Sequence, residues 1–183
     1  LLIIFLIIIA LSRPRIINSV QETKTEIIDI LLVIDQSSSM LAQDFKPNRL
    51  EAAKNVAKKF IRERGGDRLG LIVFAGNSYI QCPLTRDINV LVDFAEQIKI
   101  IDQEHDGTAI GMAIANAINR LRDSTAKSKT IILLSDGSNN KGELDPLTAA
   151  DLANQFDIKI YTIAVGSQGY APYPVVDAWG REI

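Results

Sequence analysis

From residue 27 onward the chain alternates between two hydrophobic periods, and this alternation restricts the fold more than any other feature. Ile27-Ile28-Asp29-Ile30-Leu31-Leu32-Val33-Ile34 is a β-branched apolar run, the pattern of a strand covered on both faces. Residues 49–64 place Leu50, Ala53, Val56, Ala57, Phe60 and Ile61 at helical spacing, and Gly65-Gly66 follows, which predicts a helix and its stop. Leu69 to Phe74 reads as a second strand and Ser78 to Cys82 as a short third. Asp87 opens a helix with Ile88, Leu91, Phe94, Ala95 and Ile98 on one face. Thr108 precedes another, striped by Ile110, Ala113, Ile114, Ala117, Ile118 and Leu121, and is a candidate N-cap for it. Thr130 to Leu134 is a strand, Pro146 stands in the first turn of a helix bearing Ala149, Leu152, Ala153 and Phe156, and Ile158 to Val165 is the last clear strand. Buried strands separated by helices predict an α/β fold, a doubly wound and mainly parallel sheet with helices on both faces.

The 183 residues suffice for one domain with a sizeable core. Ahead of it, residues 1–11 (LLIIFLIIIAL) are unbroken by charge and are followed by Ser12-Arg13-Pro14-Arg15. As a helix this run rises roughly 16 Å, about half the hydrocarbon thickness of a bilayer. It reads as the end of a transmembrane helix, with a signal-peptide core and a buried core segment as the alternatives. Residues 12–25 then form a polar linker beside the membrane, residues 26–168 the domain, and residues 169–183 a loop or a hairpin around Ala178-Trp179-Gly180. A sheet ending at residue 165 would leave its last strand half covered, so a further strand and helix are expected beyond residue 183. Arg13 and Arg15 favour a cytosolic side for the linker.

Composition narrows the chemistry. The net charge of −2 offers no basic field for nucleic acid. One cysteine, Cys82, excludes an internal disulfide framework, and one histidine, His105, excludes a site needing two His ligands. Cys82 before Pro83 reads as a small packing residue, His105 as a solvated loop residue, and Lys54, Lys58 and Lys59 as a charged, solvated helix face. No Gly-x-Gly-x-x-Gly follows the first strand and no Gly-x-x-x-x-Gly-Lys-Ser/Thr exists, which removes the usual phosphate loops.

In such sheets ligands bind beyond the carboxyl ends of the strands, near the switch in strand order. Asp35-Gln36-Ser37-Ser38-Ser39-Met40 follows the first strand, Ser135-Asp136-Gly137-Ser138 follows the Thr130–Leu134 strand, and Asp106-Gly107-Thr108 precedes the Ile110 helix. Were these loops to meet, they would offer the carboxylates of Asp35 and Asp136 and the hydroxyls of Ser37, Ser39 and Thr108. Hard oxygen donors without sulfur or imidazole select Mg²⁺ or Mn²⁺, with Ca²⁺ also compatible. Neutral hydroxyls would leave the ion with uncompensated charge, which an external carboxylate can fill. That is a binding mechanism, and it needs no catalytic base. The blander reading makes the same Ser, Thr and Asp residues caps and turn formers.

Asp35-x-Ser37-x-Ser39 with Thr108 and Asp136 resembles the metal-ion-dependent adhesion site of von Willebrand factor A domains. Phe45-Lys46-Pro47-Asn48-Arg49-Leu50, Gly65-Gly66-Asp67-Arg68, Cys82-Pro83-Leu84-Thr85, Asp106-Gly107-Thr108-Ala109-Ile110-Gly111 and Asp145-Pro146-Leu147-Thr148-Ala149-Ala150 are similar, more narrowly, to the Bat (aerotolerance operon) membrane proteins of bacteria. The resemblance implies that Ser37, Ser39 and Thr108 ligate a divalent ion and that Asp35 and Asp136 act directly or through water. It implies a non-enzymatic domain at the bacterial inner membrane, on the periplasmic side, binding a protein that donates a carboxylate. It also implies work with a MoxR-type AAA+ ATPase and other Bat proteins in stress tolerance or protein assembly. Ser38 stands where the family commonly has Gly, and Ser138 where it commonly has an acidic residue. If position 38 needs φ > 0, serine costs about 1–2 kcal/mol of strain there. Two other readings stay beside this one. One is a metal-independent membrane scaffold; the other is a phosphohydrolase with Asp35 as nucleophile, although the acid usual two residues later is Ser37.

Overall fold

In a computed structural model that describes residues 3, 27–137, 139–167 and 171–174, five strands form one sheet. They are β1 (Ile28–Asp35), β2 (Arg68–Phe74), β3 (Ser78–Thr85), β4 (Ser128–Ser135) and β5 (Ile158–Ala164), in the order β3-β2-β1-β4-β5. β1 pairs parallel with β2 and β4, and β4 parallel with β5. β3 returns antiparallel to β2 at the edge. It runs through Pro83 to Thr85, past the Cys82 end the sequence suggested, because an edge strand tolerates the missing N–H of proline. Cys82 is buried as a packing residue, and burial pushes its thiol pKa up.

Four helices cover the sheet: α1 (Arg49–Glu63), α2 (Ile88–Glu96), α3 (Ile110–Leu121) and α4 (Pro146–Gln155). The period of two along β1 sorts its side chains between them. Ile30, Leu32 and Ile34 pack with Leu50, Ala53, Ala57 and Ile61 of α1 and with Leu91 and Ala95 of α2. Leu31 and Val33 pack on the opposite face with Ala113, Ile114, Ala117 and Leu121 of α3 and Ala149 and Ala153 of α4. Burial on both faces is why β1 reads as a continuous apolar run rather than an alternating one.

Helix starts follow local chemistry in three cases. Asn48 accepts the Glu51 N–H, Asp87 those of Asn89 and Val90, and Asp145 those of Leu147 and Thr148. α3 departs from expectation. Its N-cap is Ala109, not Thr108, and the Ile110 N–H is taken by Asn139 Oδ1 at 2.8 Å. A loop distant in sequence does the capping and leaves the Thr108 side chain for another role. Two further expectations fail on α1. Val56, counted on the apolar stripe, is 52% exposed, whereas Lys54, counted on the solvated face, is 4% exposed with its ammonium on Glu51 at 2.7 Å. Lys58 pairs with Glu96 of α2.

The crossovers from β1 run to β2 on one side, while β4 lies on the other, so strand order reverses at β1 and β4. Their carboxyl ends, Asp35 and Ser135, therefore open onto the crevice where ligands of doubly wound sheets bind. No helix among the described residues is long and apolar enough to cross a membrane. The proposed membrane segment, apart from Ile3, lies outside the described residues. So do the linker with Arg13 and Arg15, the hairpin around Trp179, and Ser138.

Candidate metal centre

Three loops meet at the end of β1 and β4. Asp35 is 0% exposed. Its Oδ1 accepts the Ser37 N–H at 2.9 Å, and its Oδ2 accepts the Ser135 hydroxyl at 2.6 Å. After an extended Ser37 the chain tightens into a short 3₁₀ turn, Ser38–Leu41, pinned by the fully buried Met40. The turn brings the Ser37 and Ser39 hydroxyls to 3.0 Å, and the Ser39 hydroxyl donates to Asp136 Oδ1 at 2.7 Å. Asp35, Ser37, Ser39 and Asp136 thus share one chain of hydrogen bonds across the switch point.

Ser38 needs no positive φ, since Asp157 is the only described non-glycine residue with one. The strain allowed for at position 38 is absent. Ser38 instead donates its N–H to Asp106 Oδ1 at 2.8 Å and its hydroxyl to Asp106 Oδ2 at 2.5 Å. Asp106 therefore fastens the third loop to the first. That loop is also held by the Gly76 N–H on the His105 carbonyl at 3.1 Å and the Ala109 N–H on the Ala75 carbonyl at 2.8 Å. His105 is exposed, as expected of a solvated loop residue. Gly107 is required by its backbone, whose φ of +121° L side chains rarely adopt. Thr108 is buried, its N–H on Asn140 Oδ1 at 2.8 Å. Its hydroxyl faces the β4 loop, 3.7 Å from where a Cβ on Gly137 would be.

Arg49, the first residue of α1, completes the cluster. Its guanidinium donates Nη1–H to Asp136 Oδ2 at 2.5 Å, and its other edge grips Asp44 through Nε and Nη2 at 2.8 and 2.9 Å. Asp44 in turn accepts the Ser167 N–H at 2.7 Å, beyond β5. Arg49, with the Ser167 N–H, holds the Asp44 carboxyl far below the usual carboxylate range, and Asp44 and Asp136 keep the guanidinium charged. Burial raises the pKa of Asp35, against its hydrogen bonds from Ser135 and Ser37, and the Asp136 charge adds to the rise. For Asp106 burial also pushes upward, but the bonds from Ser38 and Gly107 and the Lys141 charge outweigh it and lower the pKa.

Sequence reasoning missed Arg49, Asp44, Asp106, Ser135, Asn139 and Asn140 as parts of this centre. Arg49 alone carried a local signal: a cation at a helix N-terminus opposes the helix dipole and needs an anion nearby. The set of Asp35, Ser37, Ser39, Thr108 and Asp136 suits a hard divalent ion, because each of these side chains is a carboxylate or hydroxyl. No group of three or more His, Cys, Asp or Glu among the described residues could hold a metal, so here hydroxyls would have to complete the shell.

Ionised Asp35 costs the metal-free fold stability. Its folded pKa lies above the ordinary 3.8, so the unfolded chain releases the proton first and stability falls as pH rises through that interval. Asp35→Asn is expected to stabilise the metal-free chain by about 0.5–2 kcal/mol at neutral pH, as relief of a functional site commonly does. Melts in EDTA at pH 7 check this; the gain should shrink below about pH 4, where both states carry the proton. An unchanged or lowered melting temperature at pH 7 would show that burial of the charge is already offset.

Comparison with known proteins identifies the fold. The model of the von Willebrand factor type A domain matches residues 29–173. An aerotolerance-related membrane protein from Bacteroides fragilis, crystallised with multiple mutations to serines, superposes with a TM-score of 0.74 at 32% identity, covering 85% of this chain and 80% of that one. BatB from Bacteroides thetaiotaomicron gives a TM-score of 0.69 at 32% identity over 85% of this chain and 78% of that one. A UPF0353 protein of Mycolicibacterium paratuberculosis is 37% identical over 153 residues, 76% of this chain and 45% of the relative. An uncharacterized protein of Borreliella burgdorferi is 36% identical over 140 residues, 76% of this chain and 41% of the relative. The chain thus spans less than half the length of these curated relatives.

Proposed function

The chain belongs to the von Willebrand factor type A domain family, and from that premise we propose that it is a metal-dependent protein-binding module of a Bat-like membrane system. Domains of this family are typically interaction modules. The observation that carries the reading is the hydrogen-bonded chain from Ser37 through Ser39 to Asp136, which gathers donors from loops 97 residues apart at one sheet edge. Ser37, Ser39 and Thr108, with Asp35 and Asp136 directly or through water, would hold Mg²⁺ or Mn²⁺, with Ca²⁺ also compatible with the oxygen donors. A bound ion would supply a Lewis-acidic point of attachment for a carboxylate of a protein partner. The chain's own contribution is to place the hydroxyls, keep Asp35 dry and hold the three loops together through Asp106 and Asn140.

Similarity to BatB and to the aerotolerance-related membrane protein of Bacteroides fragilis supports attachment to the bacterial inner membrane. Periplasmic placement and a MoxR-type ATPase with other Bat proteins as partners are the finer part of the same proposal. An Asp35-nucleophile phosphohydrolase is disfavoured because both Asp35 oxygens are engaged and the residue is fully buried. A metal-independent scaffold is separated by direct titration. The chain is expected to bind one Mn²⁺, followed by loss of the free-ion paramagnetic signal, and Ser39→Ala or Asp136→Ala to weaken binding at least about tenfold, since each deletes a donor. Undetectable Mn²⁺ binding by the unaltered chain, or unchanged affinity in both variants, would sink the metal reading.

A further inference from the structure

We propose that Arg49 is a built-in competitor of the divalent ion, so that metal entry is an exchange in which the guanidinium gives up Asp136 and withdraws onto Asp44. This rests on the metal-binding reading of the site. The two oxygens of Asp136 are divided between Ser39, at 2.7 Å from Oδ1, and Arg49, at 2.5 Å from Oδ2. The two donors differ in kind. A hydroxyl can turn its proton away and present a lone pair to a cation, whereas a guanidinium carries only donors and is never deprotonated in a protein. Asp136 can therefore keep Ser39 as a neighbour when an ion arrives, but the ion and Arg49 must compete for its charge.

The surroundings of Arg49 fit an exchange rather than a permanent brace. Asp44 holds the opposite edge of the guanidinium by two bonds, Nε to Oδ1 at 2.8 Å and Nη2 to Oδ2 at 2.9 Å. That fork is complete without Asp136, so Arg49 has an ion pair to fall back on. Asp44 is itself fixed by the Ser167 N–H at 2.7 Å and hydroxyl at 3.1 Å. Gly166 leaves room beside the guanidinium, where a Cβ would come within 3.3 Å of it. The position at the first turn of α1 opposes the helix dipole, so Arg49 stays only because anions face it there.

The competition makes two substitutions act in opposite directions, which a purely structural role for Arg49 would not. Arg49→Gln keeps a hydrogen-bond donor and removes the charge; Mn²⁺ affinity is expected to rise about 10–100-fold, the span over which groups around a metal's ligands typically change its affinity. Asp44→Asn loosens the fallback pair and commits Arg49 to Asp136; Mn²⁺ affinity is expected to fall. Lys46→Gln removes an exposed cation of the same loop and should change affinity less than about threefold, because solvent and salt screen it.

Titration of the whole chain and these variants with Mn²⁺ alone, read by paramagnetic resonance of the free ion, decides the matter. Circular dichroism reports whether each variant is folded. Tighter binding in Arg49→Gln with weaker binding in Asp44→Asn supports the exchange. Equal or weaker binding in a folded Arg49→Gln, with the unaltered chain binding Mn²⁺, overturns the exchange and leaves the metal reading standing. Should Arg49→Gln not fold, unchanged or tighter binding in Asp44→Asn overturns the exchange. Absence of Mn²⁺ binding in the unaltered chain overturns both.

Discussion

Adding Mg²⁺ or Mn²⁺ to the EDTA-treated chain at a hundred times the dissociation constant is expected to raise its melting temperature by roughly 5–11 °C, and Asp136→Ala to cut the rise to about half or less. An ion that binds only the folded state at that excess adds ~2.7 kcal/mol. A chain of 183 residues gains about 2–4 °C per kcal/mol. The unfolded chain cannot compete for the ion, because its would-be ligands come from loops that meet only at the switch point of the sheet. Asp136 is the decisive substitution because its carboxylate is the one that Ser39 and Arg49 share. Asp35→Asn should separate baseline from response: a higher melting point in EDTA, and little or no rise on adding the ion. An undiminished rise in Asp136→Ala would put the ion elsewhere on the chain. No rise, with no Mn²⁺ bound, would move the domain to the metal-independent scaffold reading.

Legibility in the sequence depends on the range over which each feature is encoded. β1 was legible because burial on both faces forces an uninterrupted apolar run. α1, α2 and α4 were legible because Asn48, Asp87 and Asp145 cap them from one residue away. The N-terminus of α3 was misread because its cap is Asn139, 29 residues ahead in the chain. Among the site residues, Asp35, Ser37, Ser39 and Asp136 could be found because they stand directly after strands that are themselves legible. Arg49, Asp44 and Asp106 could not, since their partners are set by tertiary approach: Ser38 meets Asp106 across 68 residues, and Arg49 meets Asp136 across 87. Lys54 shows the same limit within one helix. Its spacing places it beside the apolar stripe, and only the packing of α1 decides that it is covered.

At the other end of the sheet, Arg68→Ala is expected to cost about 3 kcal/mol, near the lower end of what breaking a buried ion pair costs. Asp29 opens the central strand and is 0% exposed. Its Oδ1 accepts Arg68 Nε at 2.7 Å, and its Oδ2 accepts both Arg68 Nη2 and the Ser124 hydroxyl. Arg68 begins β2 in direct register with Asp29, and Ser124 follows α3. One carboxylate therefore ties the start of two parallel strands to the connection that leads into β4. Without Arg68 the buried charge keeps a single hydroxyl, which cannot replace a bidentate guanidinium. The Arg68 side chain is 38% exposed, so water reaches part of the vacated space and holds the penalty toward the lower bound. If the loss comes from an orphaned charge, removing the charge as well should return much of it. The double variant Asp29→Leu/Arg68→Met is accordingly expected to be more stable than Arg68→Ala alone, despite carrying two changes. Denaturant unfolding of the three proteins in EDTA measures this without involving the metal centre. A double variant less stable than Arg68→Ala would mean that the pair contributes net stability, and that its polar bonds rather than relief of a buried charge hold this end of the sheet.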